Sequence, residues 1–131
     1  MPPLIAVIDD DVAIVTLVHE VLTDEGYRTL CLHEAQEVPA ALAAHLPDVL
    51  VMDWHMRSGT SGWNLLHTLR QHPATALIPV LVCSGDILFL RTYQDELRAL
   101  GCKTLLKPFD LGDLLSGVAA LLPVLPPGGN A

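Results

Sequence analysis

Five short apolar runs, each followed by a longer segment of helical period, leave this chain very few folds to adopt. The runs are LIAVI (4–8), RTLCLH (28–33), DVLVM (48–52), IPVLVC (78–83) and KTLL (103–106). No two are close enough to be joined by a tight turn, so hairpins are excluded and the strands must run parallel through crossovers. LIAVI lacks two-residue alternation and reads as a strand buried on both faces, and DVLVM reads as a further buried strand. RTLCLH is the least apolar, which suits an edge.

The segments between them supply the crossovers. After the first run, Ile14, Leu17, Val18, Val21 and Leu22 recur at spacings of three and four, predicting a helix that stops at Gly26. A second helix is expected from about Gln36 to His45, with Pro39 tolerable only in its first turn. A third runs from Ser61 to Gln71 with Leu65, Leu66 and Leu69, a fourth from Ile87 to Leu100, and a fifth, capped by Asp110, through Leu122. Five strand-then-helix units predict an α/β fold: a five-stranded parallel sheet with helices on both faces.

One domain suits 131 residues, and 51% apolar composition is enough for a core. We place it at residues 1–122, with 123–131 (PVLPPGGNA) a Pro/Gly-rich flexible tail. A net charge of −8 argues against direct nucleic-acid binding and favours cationic partners or bound metal ions. The odd trio Cys31, Cys83 and Cys102 reads as reduced, buried thiols of a cytoplasmic protein. The start MPPLIAVIDDD has no basic n-region, and no apolar stretch reaches membrane-spanning length.

Open parallel sheets bind ligands outside the carboxyl ends of their strands. That rule gathers Asp9 and Asp10, Asp53, Ser84 and Lys107, each directly after a predicted strand, onto one rim. Two charges about 4 Å apart interact by roughly 4 kcal/mol at an effective dielectric near 20, so clustered carboxylates need a counter-charge or a proton. Mg²⁺, with one or two carboxylates, waters and phosphate oxygens as ligands, supplies the first. Lys107 adds a point charge suited to an anion and Ser84 a hydroxyl donor. A metal, a lysine and a hydroxyl can neutralise a phosphoryl group while one carboxylate attacks it. Helix capping is the competing explanation: it accounts for Asp11, is an even alternative for Ser84 alone, and does not account for Lys107.

The segments VIDDD, PDVLVMDWHM, IPVLVCSGD and LLKPFD, in this order and spacing, resemble the receiver domain of bacterial two-component response regulators. The resemblance spans about Leu4 to Leu122. It implies the flavodoxin-like strand order 2-1-3-4-5, with Asp53 as phosphoacceptor. Mg²⁺ would be bound by Asp10, Asp53 and the backbone carbonyl of His55, with Asp9 acting through water. It implies Ser84 as the switch hydroxyl, Lys107 as the phosphate partner and a cis Lys107–Pro108 bond. The reaction implied is Mg²⁺-dependent transfer to Asp53 from a phosphohistidine on a histidine kinase or phosphotransfer protein. The protein is then a self-phosphorylating and self-dephosphorylating acceptor rather than a turnover enzyme, signalling as a single-domain regulator by docking to a downstream target protein or by phosphorelay.

The sequence also departs from that pattern. Arg57 stands where the family usually has Pro, in a loop one residue longer; it is either solvated or reaches phosphate or a kinase. His55 and Asp86 match positions that tune phosphate lifetime. Thr104 replaces the aromatic residue usually coupled to the switch hydroxyl, which puts the usual output in question. Phe89 and Tyr93 either only pack or substitute for that ring, and Trp54, packed or at the rim, is placed to report phosphate by fluorescence. His19, His33, His45, His67 and His72 have no evident ligand partner.

Three other functions compete with this reading. A phosphorylation-independent receiver-like docking module is favoured by Arg57 and Thr104 but not by the acidic pair, Asp53, Ser84 and Lys107. A haloacid-dehalogenase-like phosphohydrolase would want a second Asp where His55 stands. A flavin site would want a phosphate-cradling loop where three aspartates would repel the cofactor.

Overall fold

A computed structural model of the chain describes residues 2–56 and 61–123. Its strands are β1 (Leu4–Ile8), β2 (Arg28–Leu32), β3 (Val49–Asp53), β4 (Val80–Ser84) and β5 (Cys102–Leu106). Its helices are α1 (Val12–Asp24), α2 (Val38–His45), α3 (Gly62–Gln71), α4 (Ile87–Ala99) and α5 (Leu111–Leu121). All the strands pair in parallel, in the order β2-β1-β3-β4-β5.

The two faces of the sheet divide the apolar residues by their alternation along each strand. Ile5 and Val7 of β1, Val49 and Val51 of β3 and Leu81 and Cys83 of β4 pack with Val18 and Leu22 of α1 and Leu114 and Val118 of α5. Ala6 and Ile8, Leu50 and Met52, and Val80 and Val82 face the other way, onto Leu42 of α2, Leu65, Leu66 and Leu69 of α3 and Leu97 of α4. Every residue of β3 and β4 is buried, while β2 buries only Leu32 and is indeed an edge.

Caps set the helix starts. Asp11, Ser61, Asp86 and Asp110 each accept a backbone N–H from the first turn of the following helix. Gly26, at φ 93°, turns the chain after α1, where a side chain would be strained. The stripe expected on α1 is partly wrong. Val15 is 3% exposed and joins the core, whereas Leu17 is 41% exposed. At about 100° per residue Leu17 lies beyond the arc centred on Val18 and Leu22, and Val15 lies within it.

The helix expected from Gln36 begins instead as a 3₁₀ turn, Ala35–Glu37, before α2, whose first turn holds Pro39. β4 starts at Val80 rather than at residue 78 because Ile78 N–H is used in a turn to Thr75 and Pro79 has no N–H to offer. Of the three free cysteines, Cys83 and Cys102 are buried as expected, but Cys31, on the edge strand, is only half-buried. Among the described residues, no helix is long and apolar enough to cross a membrane.

Candidate functional site

Four strand ends build one acidic rim. Asp9 follows β1 and is 4% exposed; Asp53, the last residue of β3, is 8% exposed; Ser84, the last of β4, is fully buried. Lys107 follows β5, and its Nζ lies 3.0 Å from Asp9 Oδ2 and 3.3 Å from Asp53 Oδ1. The sheet register fixes this meeting, for Lys107 N–H donates to the Ser84 carbonyl at 2.8 Å and so extends the β4–β5 ladder beyond the strands. Asp9 Oδ1 is held from behind by the Asp11 N–H at 2.9 Å. The bond between Lys107 and Pro108 is cis.

Asp9, Asp10 and Asp53 each offer a carboxylate oxygen, and the three oxygens lie within 4.8 Å of one another. One ammonium faces two of these carboxylates directly, so local charge is not balanced by Lys107 alone. Hard oxygen donors in a cluster with excess negative charge match the ligand preference of Mg²⁺ better than that of zinc, which favours nitrogen and sulfur.

The protonation equilibria carry the same strain. Burial raises the Asp53 carboxyl above its ordinary value, and the Asp9 charge adds to this. Lys107, by charge and hydrogen bond, and the His55 backbone N–H oppose it. For Lys107, burial alone would lower the ammonium, but the hydrogen bond to Asp9 and the charges of Asp53 and Asp9 outweigh it, and the net direction is up. The site thus keeps its cation while making one carboxylate costly to ionise.

Ser84 Oγ accepts the Asp86 N–H at 3.0 Å and lies 3.0 Å from His55 Nε2. Asp86 does double duty, since its side chain also caps α4 by accepting the Phe89 N–H. Residue spacing gave no warning of the His55–Ser84 contact, because it joins positions in different strand-end segments. The structure also assembles an aromatic group not foreseen as a unit. Trp54 is 6% exposed, so it is packed rather than at the rim. Its ring lies against Trp63 and Phe89, and Tyr93 completes the group. The helical spacing of Phe89 and Tyr93, and Gly62 beside the rings, are the signals that point to it.

Thr104 is half-buried in β5, opposite Val82. It lines a cavity of about 190 Å³ with Gln94, Arg98, Cys102 and Lys103. Arg57 lies outside the described residues. His19 and Thr29 share a hydrogen bond, and His67 stacks on Trp63.

The sequence profile of the response regulator receiver domain matches residues 5–119. The chain is 34% identical over 127 residues to the phosphate regulon transcriptional regulatory protein PhoB of Rhizobium meliloti, covering 93% of this chain and 53% of that protein. It is 32% identical over 123 residues to the DNA-binding dual master transcriptional regulator RpaA of Synechocystis, covering 92% and 49%. It therefore spans about half the length of these curated relatives. Among solved structures, a putative response regulator from Chloroflexus aurantiacus superposes with TM-score 0.80 at 27% identity, covering 92% of this chain and 98% of that one. The Vibrio cholerae chemotaxis protein CheY4 superposes with TM-score 0.82 at 23% identity, covering 93% and 100%, and shows the same fold.

Proposed function

This chain belongs to the response regulator receiver domain family, and from that membership we propose that Asp53 accepts a phosphoryl group from a phosphohistidine on a histidine kinase or phosphotransfer protein. The observation that carries the proposal is the position of Lys107 Nζ, 3.0 Å from Asp9 and 3.3 Å from Asp53. A structural lysine needs one buried partner. A lysine shared between two carboxylates is placed to follow negative charge as it moves from one group to another.

In the proposed step an Asp53 carboxylate oxygen attacks phosphorus. A P–O bond forms, the P–N bond to the donor imidazole breaks, and the electron pair leaves with that nitrogen. Lys107 pairs with the phosphoryl oxygens that replace the bare carboxylate, and the Ser84 hydroxyl donates a hydrogen bond to one of them. Asp10, Asp53 and the His55 carbonyl would hold Mg²⁺, with Asp9 acting through water. The ion, when bound, supplies positive charge that lets the anionic phosphoryl group approach an acidic rim. The protein acts as an acceptor that also loses its phosphate, not as a turnover enzyme. His55 and Asp86, both in contact with Ser84, are placed to set the lifetime of the acyl phosphate.

We assign residues 1–122 to one receiver domain acting in the cytoplasm. It signals by docking to a downstream protein or by relay, without binding nucleic acid itself. The test is intact mass after incubation with Mg²⁺ and a small acyl-phosphate donor. A single phosphate adduct is expected on wild type and none on Asp53→Asn. No adduct on wild type would instead favour a phosphorylation-independent docking module, the reading that Thr104 in place of a ring recommends.

A further inference from the structure

Ser84 Oγ has two neighbours, and both lead to the same residue. Asp86 donates its N–H to Oγ at 3.0 Å and caps α4 with a carboxylate that accepts the Phe89 N–H, also at 3.0 Å. His55 Nε2 lies 3.0 Å from Oγ on the other side. Its ring stands edge-on to Phe89, with centroids 5.9 Å apart at 69°. Phe89 in turn stacks on Trp54 at 5.1 Å and tilts against Tyr93 at 5.3 Å. Trp63 closes the group, edge-on to Trp54 at 4.9 Å and to Tyr93 at 5.4 Å. Both tryptophans of the chain are here, with one of its two phenylalanines and one of its two tyrosines.

We propose that Phe89 is the positioning residue through which the state of the Ser84 hydroxyl reaches α3 and α4, a role that rests on Asp53 being the phosphoacceptor. A hydroxyl has one proton and two lone pairs. One lone pair of Ser84 is engaged by the Asp86 N–H, and the remaining contact is to His55. A phosphoryl oxygen on Asp53 only accepts, so Ser84 must turn its single proton toward it, and Oγ cannot shift that way without changing its 3.0 Å contacts to His55 Nε2 and the Asp86 N–H. Displacement of Oγ loosens Asp86, which holds the first turn of α4, and frees His55, whose ring touches Phe89. In a close-packed interior a ring wedged among three others rotates only if they adjust with it. Thr104 has no ring to move, so β5 offers no equivalent lever. Tyr93, 40% exposed, carries the change to the surface between α3 and α4.

The experiment uses the full chain, wild type and Phe89→Leu, each alone and combined with Ser84→Ala. It reads tryptophan emission, hydrogen exchange of the first turn of α4, and the phosphate adduct by intact mass. In unphosphorylated protein, Ser84→Ala removes a hydrogen bond behind the Asp86 cap. The first-turn amides of α4 are then expected to exchange about fivefold faster, and tryptophan emission to shift. In the Phe89→Leu background the same change leaves emission unmoved. After treatment with Mg²⁺ and the acyl-phosphate donor, wild type and Phe89→Leu gain the same adduct, but only wild type changes emission. Equal emission changes in the two phosphorylated proteins would overturn the proposal, as would a Ser84→Ala variant with unaltered emission and exchange. A wild type that takes no adduct would refute the acceptor reading, and the Ser84→Ala pair would still decide the relay.

Discussion

Replacing Lys107 by Met keeps the stem but deletes the charge shared by Asp9 and Asp53. At 3.0 and 3.3 Å, each attraction is about 5 kcal/mol at an effective dielectric near 20. Most of that is offset by the desolvation of Lys107 itself, so the net loss is far smaller than the sum. Removing one partner of a buried pair costs about 3–5 kcal/mol, because the charge left behind is uncompensated. The Lys107 side chain is 25% exposed, while those of Asp9 and Asp53 are 6% and 10%. The lower figure, about 3 kcal/mol, is therefore expected. For 131 residues the unfolding entropy near Tm is about 0.28 kcal/mol/K, so Tm should fall by about 10 °C near neutral pH.

The sign of the pH dependence follows from Asp53, whose carboxyl is raised in the fold by burial and by Asp9. A raised native value means that the native state holds its proton longer than the unfolded chain does. The Asp53 contribution to stability is therefore complete below the ordinary carboxylate value and is lost as pH rises through the raised one. Without Lys107 the carboxyl rises further and the fall is steeper, so the gap between variant and wild type narrows on acidification through that window. On the alkaline side the Lys107 contribution is complete below the ordinary lysine value and is lost only as pH rises through its own raised value. Urea unfolding followed by circular dichroism in EDTA, at about pH 5 and about pH 7.5, measures both effects. A loss under about 1 kcal/mol near neutrality, or a gap that ignores pH, would refute the idea that Lys107 is the counter-charge of this rim.

The other predictions concern the metal, the aromatic group and the thiols. Mg²⁺ at a hundredfold excess over its dissociation constant should stabilise wild type by about 2.7 kcal/mol in thermal unfolding, and Asp10→Asn should lose most of that gain without losing the fold. A Cβ at Gly62 would lie 2.5 Å from the Trp54 ring, so Gly62→Ala must displace the indole. A cost of about 1–3 kcal/mol and an altered near-ultraviolet circular dichroism spectrum are expected; unchanged values would deny the contact. Burial pushes the Cys83 thiol up to about 12 and the Cys102 thiol to about 11. In native protein at about pH 8 iodoacetamide should therefore reach half-buried Cys31 first and leave the other two until unfolding, as mass-mapped labelling would report.

What the sequence discloses depends on how local the cause is. Strand polarity, the edge position of β2 and the caps Asp11 and Asp110 follow from residues within a few positions of one another. So does the gathering of Asp9, Asp53, Ser84 and Lys107 on one rim, once a parallel sheet is granted, because each needs only the end of its own strand. The error at Leu17 is of a different kind: a spacing of three or four admits Leu17 to the face, whereas the angle at about 100° per residue, once the face is centred on Val18 and Leu22, admits Val15 instead. The His55–Ser84 contact and the stacking of Phe89 on Trp54 depend on side-chain directions across three elements, which no spacing encodes. Thr104, within β5, is where the chain departs furthest from the pattern that its strand ends follow. If a ring is not available on β5, coupling the Ser84 hydroxyl to α4 requires other residues that touch both. Asp86 meets that condition by hydrogen bonds, and His55 meets it by a bond on one side and a ring contact on the other.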